Sequence, residues 1–435
     1  MKEHLKILVI TVTSWNSRVG ANSWATLLEK YDSSLIASIC IRDEIPDSSV
    51  CSRYFSISEN KVIKSVFNRR IETGREISSN KYDNNINKDL ETHNRRYTRM
   101  KKKRRYSMLI AREVIWKLGR WHTPALDSFL DSFKPDIILH SMDGYIHLNR
   151  IVEYAIKRTG ATAIGYIWDD NFTYKQSSEI GYKVYRFFQR KSLKSLANKT
   201  SEFFAISPFT KIEADNFFGI DCHLLTKPLL CEPVAETYSG VFPIKMLYTG
   251  SLLIGRDRSL LRLLNALKKV NSQKKIVELD IYTQTILSDE MLSEIECEYC
   301  HIHGPIPQTE ALEKQNEADV LLFLEDIDGK DSKAARLSFS TKITDYLSTG
   351  KCIFAIGNFD TAPMKYFIEN KAAIVCDTDE KILLGLNQLK NTSTLNEYAK
   401  NACEAGKRNH DPESIRKLLF QVINNAYAGN KEEMK

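Results

Sequence analysis

Ser340-Thr341-Lys342-Ile343-Thr344-Asp345-Tyr346-Leu347-Ser348-Thr349-Gly350-Lys351 runs from a polar loop through a helical stretch, Thr341 to Ser348, into the apolar strand Cys352 to Ile356. Ser340 and Thr341 stand where the helix begins. Their hydroxyls and the unpaired amides of the first turn are therefore placed to hold a diphosphate, with Lys342 as counter-charge. Asp345 follows Lys342 by three residues, on nearly the same helix face, and its carboxylate is placed to accept hydrogen bonds from ribose hydroxyls. An ordinary capped helix would explain Ser340 and Asp345 through the helix dipole, but not the Lys between them.

Outward from this stretch, short apolar runs alternate with longer segments of helical period, as βαβ units and parallel sheets require. One series opens with a strand at Ile7 to Val12, a turn through Gly20-Ala21-Asn22 and a helix near Ser23 to Lys30. Its further strands are expected at Ser34 to Ile41, Asp136 to His140, Ala163 to Trp168 and Phe203 to Ile206. A second series begins at Lys245 to Gly250, after the proline-bearing linker Lys227 to Pro243. It continues with a helix at Ser259 to Lys269 and strands at Val277 to Tyr282, Val320 to Leu324, Cys352 to Ile356 and Ala373 to Val375; helical stretches fall at Thr309 to Gln315 and Thr341 to Ser348. The expected domains are residues 1–235, with a basic insertion near 60–122, residues 236–412, and a C-terminal helix over 413–435 that packs back on the first domain.

The 435 residues are 43% hydrophobic and 10% aromatic, which suits a chain with a large core and excludes a disordered or fibrous one. Nine cysteines lack CxxC spacing or a neighbouring His cluster, so neither a disulfide framework nor a zinc site is indicated, and buried thiols in a reducing compartment are expected. No stretch approaches about 18 uninterrupted apolar residues, and the first strand is too short an apolar core for a signal peptide. A cytoplasmic protein with at most peripheral membrane contact is the expectation.

Ligands of parallel sheets lie beyond the C-terminal strand ends. Besides the opening run, that rule selects Thr249-Gly250-Ser251, followed closely by Arg256, although a plain βα turn would look the same. With these residues in place the resemblance becomes specific. Ser340 to Lys351 is similar to the S-K-x-x-E-Y-x-x-x-G-K-P signature of GT-B glycosyltransferases, especially the retaining family four. Thr341 stands for its Ser, Asp345 for its Glu and Cys352 for its Pro. Tyr248-Thr249-Gly250-Ser251-Leu252 resembles the family's Y-x-G-x-L, His303-Gly304-Pro305-Ile306-Pro307 its x-x-G-x-V-P, and Asp319 to Phe323 its A-D-V-x-L.

The resemblance implies an α/β protein of two Rossmann-like domains, the GT-B fold, with parallel sheets facing an interdomain cleft. It implies donor binding by Gly250, Ser251, Arg256, His303, Gly304, Ser340, Thr341, Lys342 and Asp345, with His303 and Gly304 near the nucleobase. Gly20, Ala21 and Asn22 would form the cleft loop of the first domain, unless they are an ordinary tight turn.

The strand Ala163 to Trp168 ends in Asp169-Asp170, a position that often carries the reacting group in related enzymes. Either carboxylate is placed to accept the acceptor hydroxyl's proton or to orient it, or else the pair caps the next helix. His140 and Asp143 form a second, lower-ranked pair. Asp326 and Asp328 make a D-x-D spacing inside the second Rossmann unit, where it reads as a polar loop rather than a metal motif, with Glu325 near the sugar. No metal and no cofactor are expected.

From Asn94 to Arg120 eleven basic residues, Arg95 to Arg105 foremost, face Glu113 alone, and Trp116 and Trp121 follow or interleave. A cationic stretch leading into an amphipathic helix suits an anionic membrane surface through residues 94–121, while a solvated insertion is the alternative. No base-reading motif or stacking platform accompanies the charge, so nucleic acid is not expected.

These readings converge on a metal-independent hexosyltransferase peripheral on the inner face of the plasma membrane. It would move a sugar from a UDP- or GDP-sugar to a polysaccharide or lipid-linked acceptor, in capsule, O-antigen or exopolysaccharide synthesis. A nucleotide-sugar epimerase of the same fold and a non-catalytic membrane- or partner-binding protein remain alternatives.

Overall fold

The computed structural model describes residues 4–15, 23–42, 45–77, 106–231, 238 and 240–433. The loop Gly20-Ala21-Asn22 and the basic run 95–105 lie outside these residues. The chain forms two units, Met1–Leu225 with Ile415–Lys435, and Thr226–Ser414.

In the first unit eight strands are ordered β4-β3-β2-β1-β5-β6-β7-β8: β1 Ile7–Thr11, β2 Ile36–Cys40, β3 Arg53–Ile57, β4 Gly74–Ile77, β5 Ile137–Ser141, β6 Thr162–Ile167, β7 Glu202–Ala205 and β8 His223–Leu224. All neighbours pair in parallel except β3 with β4. β1 is buried at every position, as a central strand covered on both faces must be. Ile7 pairs with Ile36 on one side and Ile137 on the other. The strand order thus reverses between β1 and β5, which makes their C-terminal ends the switch point.

Residues expected in a basic insertion contribute to this unit. The helix Glu59–Ser65 and strand β4 extend it, and the helix Tyr106–Leu118 packs inward through Glu113 and Trp116. Trp116 is fully buried and stacks on His147 at 4.3 Å, and Arg112 forms a two-pronged ion pair with Glu59 at 2.5 and 2.7 Å. Trp116 is therefore a core residue and not an anchor for lipid, because burying an indole against its own unit leaves nothing to insert. The final helix, Pro412–Glu433, gives its residues from Ile415 onward to the first unit: Phe420 stacks on Tyr31 at 5.2 Å and Asn430 donates to Thr162 Oγ1 at 2.8 Å.

The second unit holds six parallel strands in the order β11-β10-β9-β12-β13-β14: β9 Ile244–Thr249, β10 Val277–Tyr282, β11 Cys300–His303, β12 Val320–Leu324, β13 Cys352–Ile356 and β14 Ile374–Cys376. Its switch point lies between β9 and β12. The helix after β9 starts earlier than its apolar period indicates, at Arg256, because the left-handed Gly255 turns the chain directly into it. The helix Thr341–Ser348 has the expected limits, with Ser340 as N-cap. All nine cysteines are free.

Candidate functional site

At the second switch point the ends of β9 and β12 meet the start of the helix Thr341–Ser348. Tyr248, Arg256, Phe323, Leu324, Glu325, Ser340 and Lys342 line one recess there. Tyr248 is buried, its hydroxyl donating to the Ser251 carbonyl at 2.6 Å, so the loop after β9 is tied down to its own strand. Ser340 Oγ accepts the Lys342 amide at 3.3 Å and the Ser340 carbonyl accepts the Ile343 amide at 3.0 Å, the capped start of a helix whose N-terminal end favours negative charge.

The Lys342 ammonium lies over the Tyr248 ring, 4.9 Å from its centroid, and has no carboxylate partner among the described residues. It reaches this position across Gly250, whose φ is +147°. A Cβ added at Gly250 would stand 1.7 Å from Lys342 Nζ, so the missing side chain is what admits the ammonium. Burial, and then the neighbouring Arg256 charge, lower the Lys342 pKa to about 8. Glu325 and Asp345 pull the other way without ion-pairing to the ammonium, and a bound diphosphate would add to them.

Arg256 is fixed rather than loose: Nε donates to the Leu324 carbonyl at 3.0 Å and Nη2 to Glu325 Oε1 at 2.8 Å. Burial opposes its charge, but Glu325 more than offsets that and raises its pKa. Glu325 is itself buried, so the pair is held by charge-assisted hydrogen bonds in a dry setting.

The structure therefore gathers Gly250, Arg256, Ser340 and Lys342. Other residues named from the sequence are placed differently. Ser251 Oγ meets Thr285 Oγ1 at 3.2 Å and fastens the loop after β9 to the one after β10. Thr341 offers its carbonyl to Thr344 Oγ1 at 2.7 Å. Asp345 accepts from Lys227 Nζ at 2.8 Å, an ion pair that sequence spacing could not reveal because Lys227 is 118 residues away. His303 ends the edge strand β11, bonded to Asp280 at 2.7 Å and stacked on Tyr282 at 4.5 Å, with exposed Gly304 beside it. The D-x-D carboxylates are taken by arginines, Asp326 by Arg258 and Asp328 by Arg262. Among the described residues no three His, Cys, Asp or Glu side chains gather as metal ligands would.

Tyr248 as the floor of the recess was missed, although the Y-x-G pattern contained it. Also missed was His410, buried between the Lys227 carbonyl at 3.0 Å and the Tyr366 hydroxyl at 2.9 Å. Burial lowers its pKa to about 4, so it is a neutral brace beside Phe339, the residue before the N-cap.

In the first unit Asp170 is buried and both its oxygens are used by Thr173, the amide at 2.9 Å and the hydroxyl at 2.5 Å, which closes a local turn and caps no helix, since the next helix begins at Ile180 with Glu179 as its N-cap. Asp169 is exposed. His140 is fully buried against Thr200 Oγ1 at 3.1 Å, and burial lowers its pKa to about 4. Asp143 follows β5 at the switch point. It accepts from Ser141 Oγ at 2.5 Å and from Trp168 Nε1 at 3.1 Å, and burial raises its pKa.

No family model matches the chain, and no curated protein matches it in sequence. Solved structures do. HepE of Anabaena, in complex with UDP-glucose, shares 11% identity over 97% of this chain and 100% of its own, with a TM-score of 0.59. An α,α-trehalose 6-phosphate synthase from Burkholderia multivorans shares 8% identity over 100% and 99% of the two chains, with a TM-score of 0.59. A glycosyltransferase from Rickettsia africae shares 10% over 98% and 99%, with a TM-score of 0.58. The fold is that of GT-B glycosyltransferase structures: an α/β protein with two Rossmann-like units.

Proposed function

We propose that this chain is a glycosyltransferase that moves a hexose from a nucleoside diphosphate sugar, a UDP- or GDP-sugar, to a polysaccharide or lipid-linked acceptor in surface polysaccharide synthesis. The observation that carries the reading is the Lys342 ammonium, without a carboxylate partner among the described residues, beside Arg256 and a helix start at the second switch point. The solved complex of HepE with UDP-glucose supports a uridine nucleotide.

When the bond from the sugar's anomeric carbon to the diphosphate breaks, charge grows on the departing phosphate oxygen. Lys342 and the positive end of the helix Thr341–Ser348 stabilise that charge, with Arg256 held beside them by its ion pair with Glu325. This assigns to protein groups the neutralisation that a divalent metal supplies in other transferases. Donor binding and turnover should therefore persist in a chelator. The first unit brings the acceptor, and the carboxylates assigned to its hydroxyl are Asp169 and Asp170, with Asp143 beside them as the switch-point candidate. Gly20, Ala21 and Asn22 complete the acceptor-side loop in this proposal, and His303 and Gly304 meet the base.

Peripheral attachment to an anionic membrane surface, drawn from the basic charge of residues 94–121, is part of the proposal; Trp116 takes no part. Among the described residues no helix is long and apolar enough to cross a membrane.

Thermal shift with UDP and GDP tests the donor site, since a ligand at about 100 times its Kd raises stability by about 2.7 kcal/mol. Stabilisation by one nucleotide that Lys342→Ala removes is expected, and indifference to every nucleotide diphosphate would defeat the reading. Release of free sugar or an epimer without acceptor would identify an epimerase instead.

A further inference from the structure

The helix Ile180–Ala197 of the first unit is amphipathic in the reverse sense over its first three turns. Its inward stripe carries Tyr182, Tyr185, Arg186 and Gln189. These polar ends find partners inside: the Tyr182 hydroxyl donates to the Thr173 carbonyl at 2.8 Å and Gln189 Nε2 to the Gly144 carbonyl at 2.7 Å. The outward stripe, at the i, i+4, i+7, i+8 spacing of one helix face, is Ile180, Val184, Phe187 and Phe188, exposed by 81, 44, 57 and 50%. The two phenylalanine rings meet edge to face at 5.5 Å and form one apolar block.

Single exposed apolar residues are ordinary, but a row of four on one helix is not. Lys183, Lys191 and Lys194 stand exposed on the same side, and the helix contains no Asp or Glu. The nearest carboxylate along the chain is Glu179 at the N-cap. Lys183 and Lys191 have no ion pair among the described residues.

This chemistry selects among partners. The centres of protein interfaces are depleted of Lys, and a second copy placed stripe on stripe would set lysine against lysine with no carboxylate between them. Interfacial helices, by contrast, combine Phe and aliphatic residues with Lys and bind anionic headgroups. We infer that the outward stripe of Ile180–Ala197 is a docking face for an anionic lipid surface, with Phe187 and Phe188 entering the boundary between headgroups and acyl chains and the three lysines meeting lipid phosphates. The inference rests on the membrane attachment proposed above but moves its apolar contact to this helix; it is independent of the donor site.

The test is co-sedimentation of the full chain with vesicles of phosphatidylglycerol and phosphatidylcholine, and of phosphatidylcholine alone. The protein should bind only the anionic vesicles. Phe187→Ser with Phe188→Ser, and separately Lys183→Glu with Lys191→Glu, should each weaken that binding about tenfold or more, roughly 1.4 kcal/mol, with an unchanged melting temperature because these side chains are exposed. A third variant, Lys101→Gln, Lys102→Gln and Lys103→Gln, should keep a binding component that still depends on Phe187 and Phe188.

If the serine pair binds as the parent does while the glutamine variant does not bind, the helix is excluded and attachment through the basic run survives. If the parent ignores both vesicle types, attachment and helix fall together. If light scattering shows a dimer that the serine pair dissociates, the stripe is a contact between copies and the inference is overturned. UDP-induced stabilisation should be the same in all these variants, which separates a failure here from a failure of the donor site.

Discussion

Gly250→Ala displaces the Lys342 ammonium without altering the lysine. The new Cβ would lie 1.7 Å from Lys342 Nζ and 2.6 Å from its Cε, and the backbone φ there is +147°, which an L side chain rarely adopts. The ammonium is the far end of a flexible chain, so it swings away rather than forcing the backbone apart. The backbone strain should cost about 1–3 kcal/mol of stability. Losing one charge-assisted hydrogen bond to a phosphate should cost roughly 1.5–3 kcal/mol of binding, about tenfold to a hundredfold in Kd. Calorimetric titration with UDP reads this directly, and a double-mutant cycle isolates its cause. In a Lys342→Ala background the alanine at 250 has no ammonium to displace, so it should add little further loss of affinity. Equal losses in both backgrounds would refute the claim that Gly250 acts by admitting Lys342.

A second expectation concerns pH. With its pKa lowered to about 8, Lys342 is mostly charged at neutral pH and loses its proton as pH rises through 8, so affinity for a nucleotide diphosphate sugar should fall above that pH, and Lys342→Ala should flatten the profile. For stability the sign is opposite: a cation disfavoured in the fold makes the free protein gain stability above pH 8, up to the ordinary lysine range. Trp116→Ala should cost about 3–5 kcal/mol of unfolding free energy, measured by denaturant titration, because it empties a buried site; an effect confined to vesicle binding would contradict its place in the core. Asp170→Ala should lower stability by about 1–3 kcal/mol through the hydrogen bonds lost with Thr173, and lower turnover as well, while Asp143→Asn should lower turnover and shift its pH profile with the melting temperature nearly unchanged. Turnover by Asp143→Asn equal to that of the parent would remove it from the acceptor site.

The fold was legible wherever burial leaves a local trace. Ile7 to Ile10 and Val320 to Leu324 are continuous apolar runs because their strands are covered on both faces, and such runs survive in any reading of the sequence. Gly74–Ile77 left no such trace: it is a short antiparallel edge strand with Arg75 and Glu76 exposed, and its surroundings look like the charged insertion that continues after it. Tyr106–Leu118 misled for a related reason. Its Arg112 and Trp116 suit a headgroup boundary as well as they suit Glu59 and His147, and only the partner decides between them.

The candidate site divides in the same way. Ser340 and Lys342 were legible because an N-cap and the first turn after it are sequence neighbours. The contact between Lys342 and Gly250 and the pair of Asp345 with Lys227 join residues far apart in the chain, so no spacing records them. That difference bears on the chemistry. In the proposed donor site a carboxylate already paired with Lys227 would share its remaining acceptor positions with a ribose, so Asp345 and Lys227 would act on the nucleoside as one unit, while Lys342, with no ion-paired carboxylate among the described residues, would be left for the phosphates.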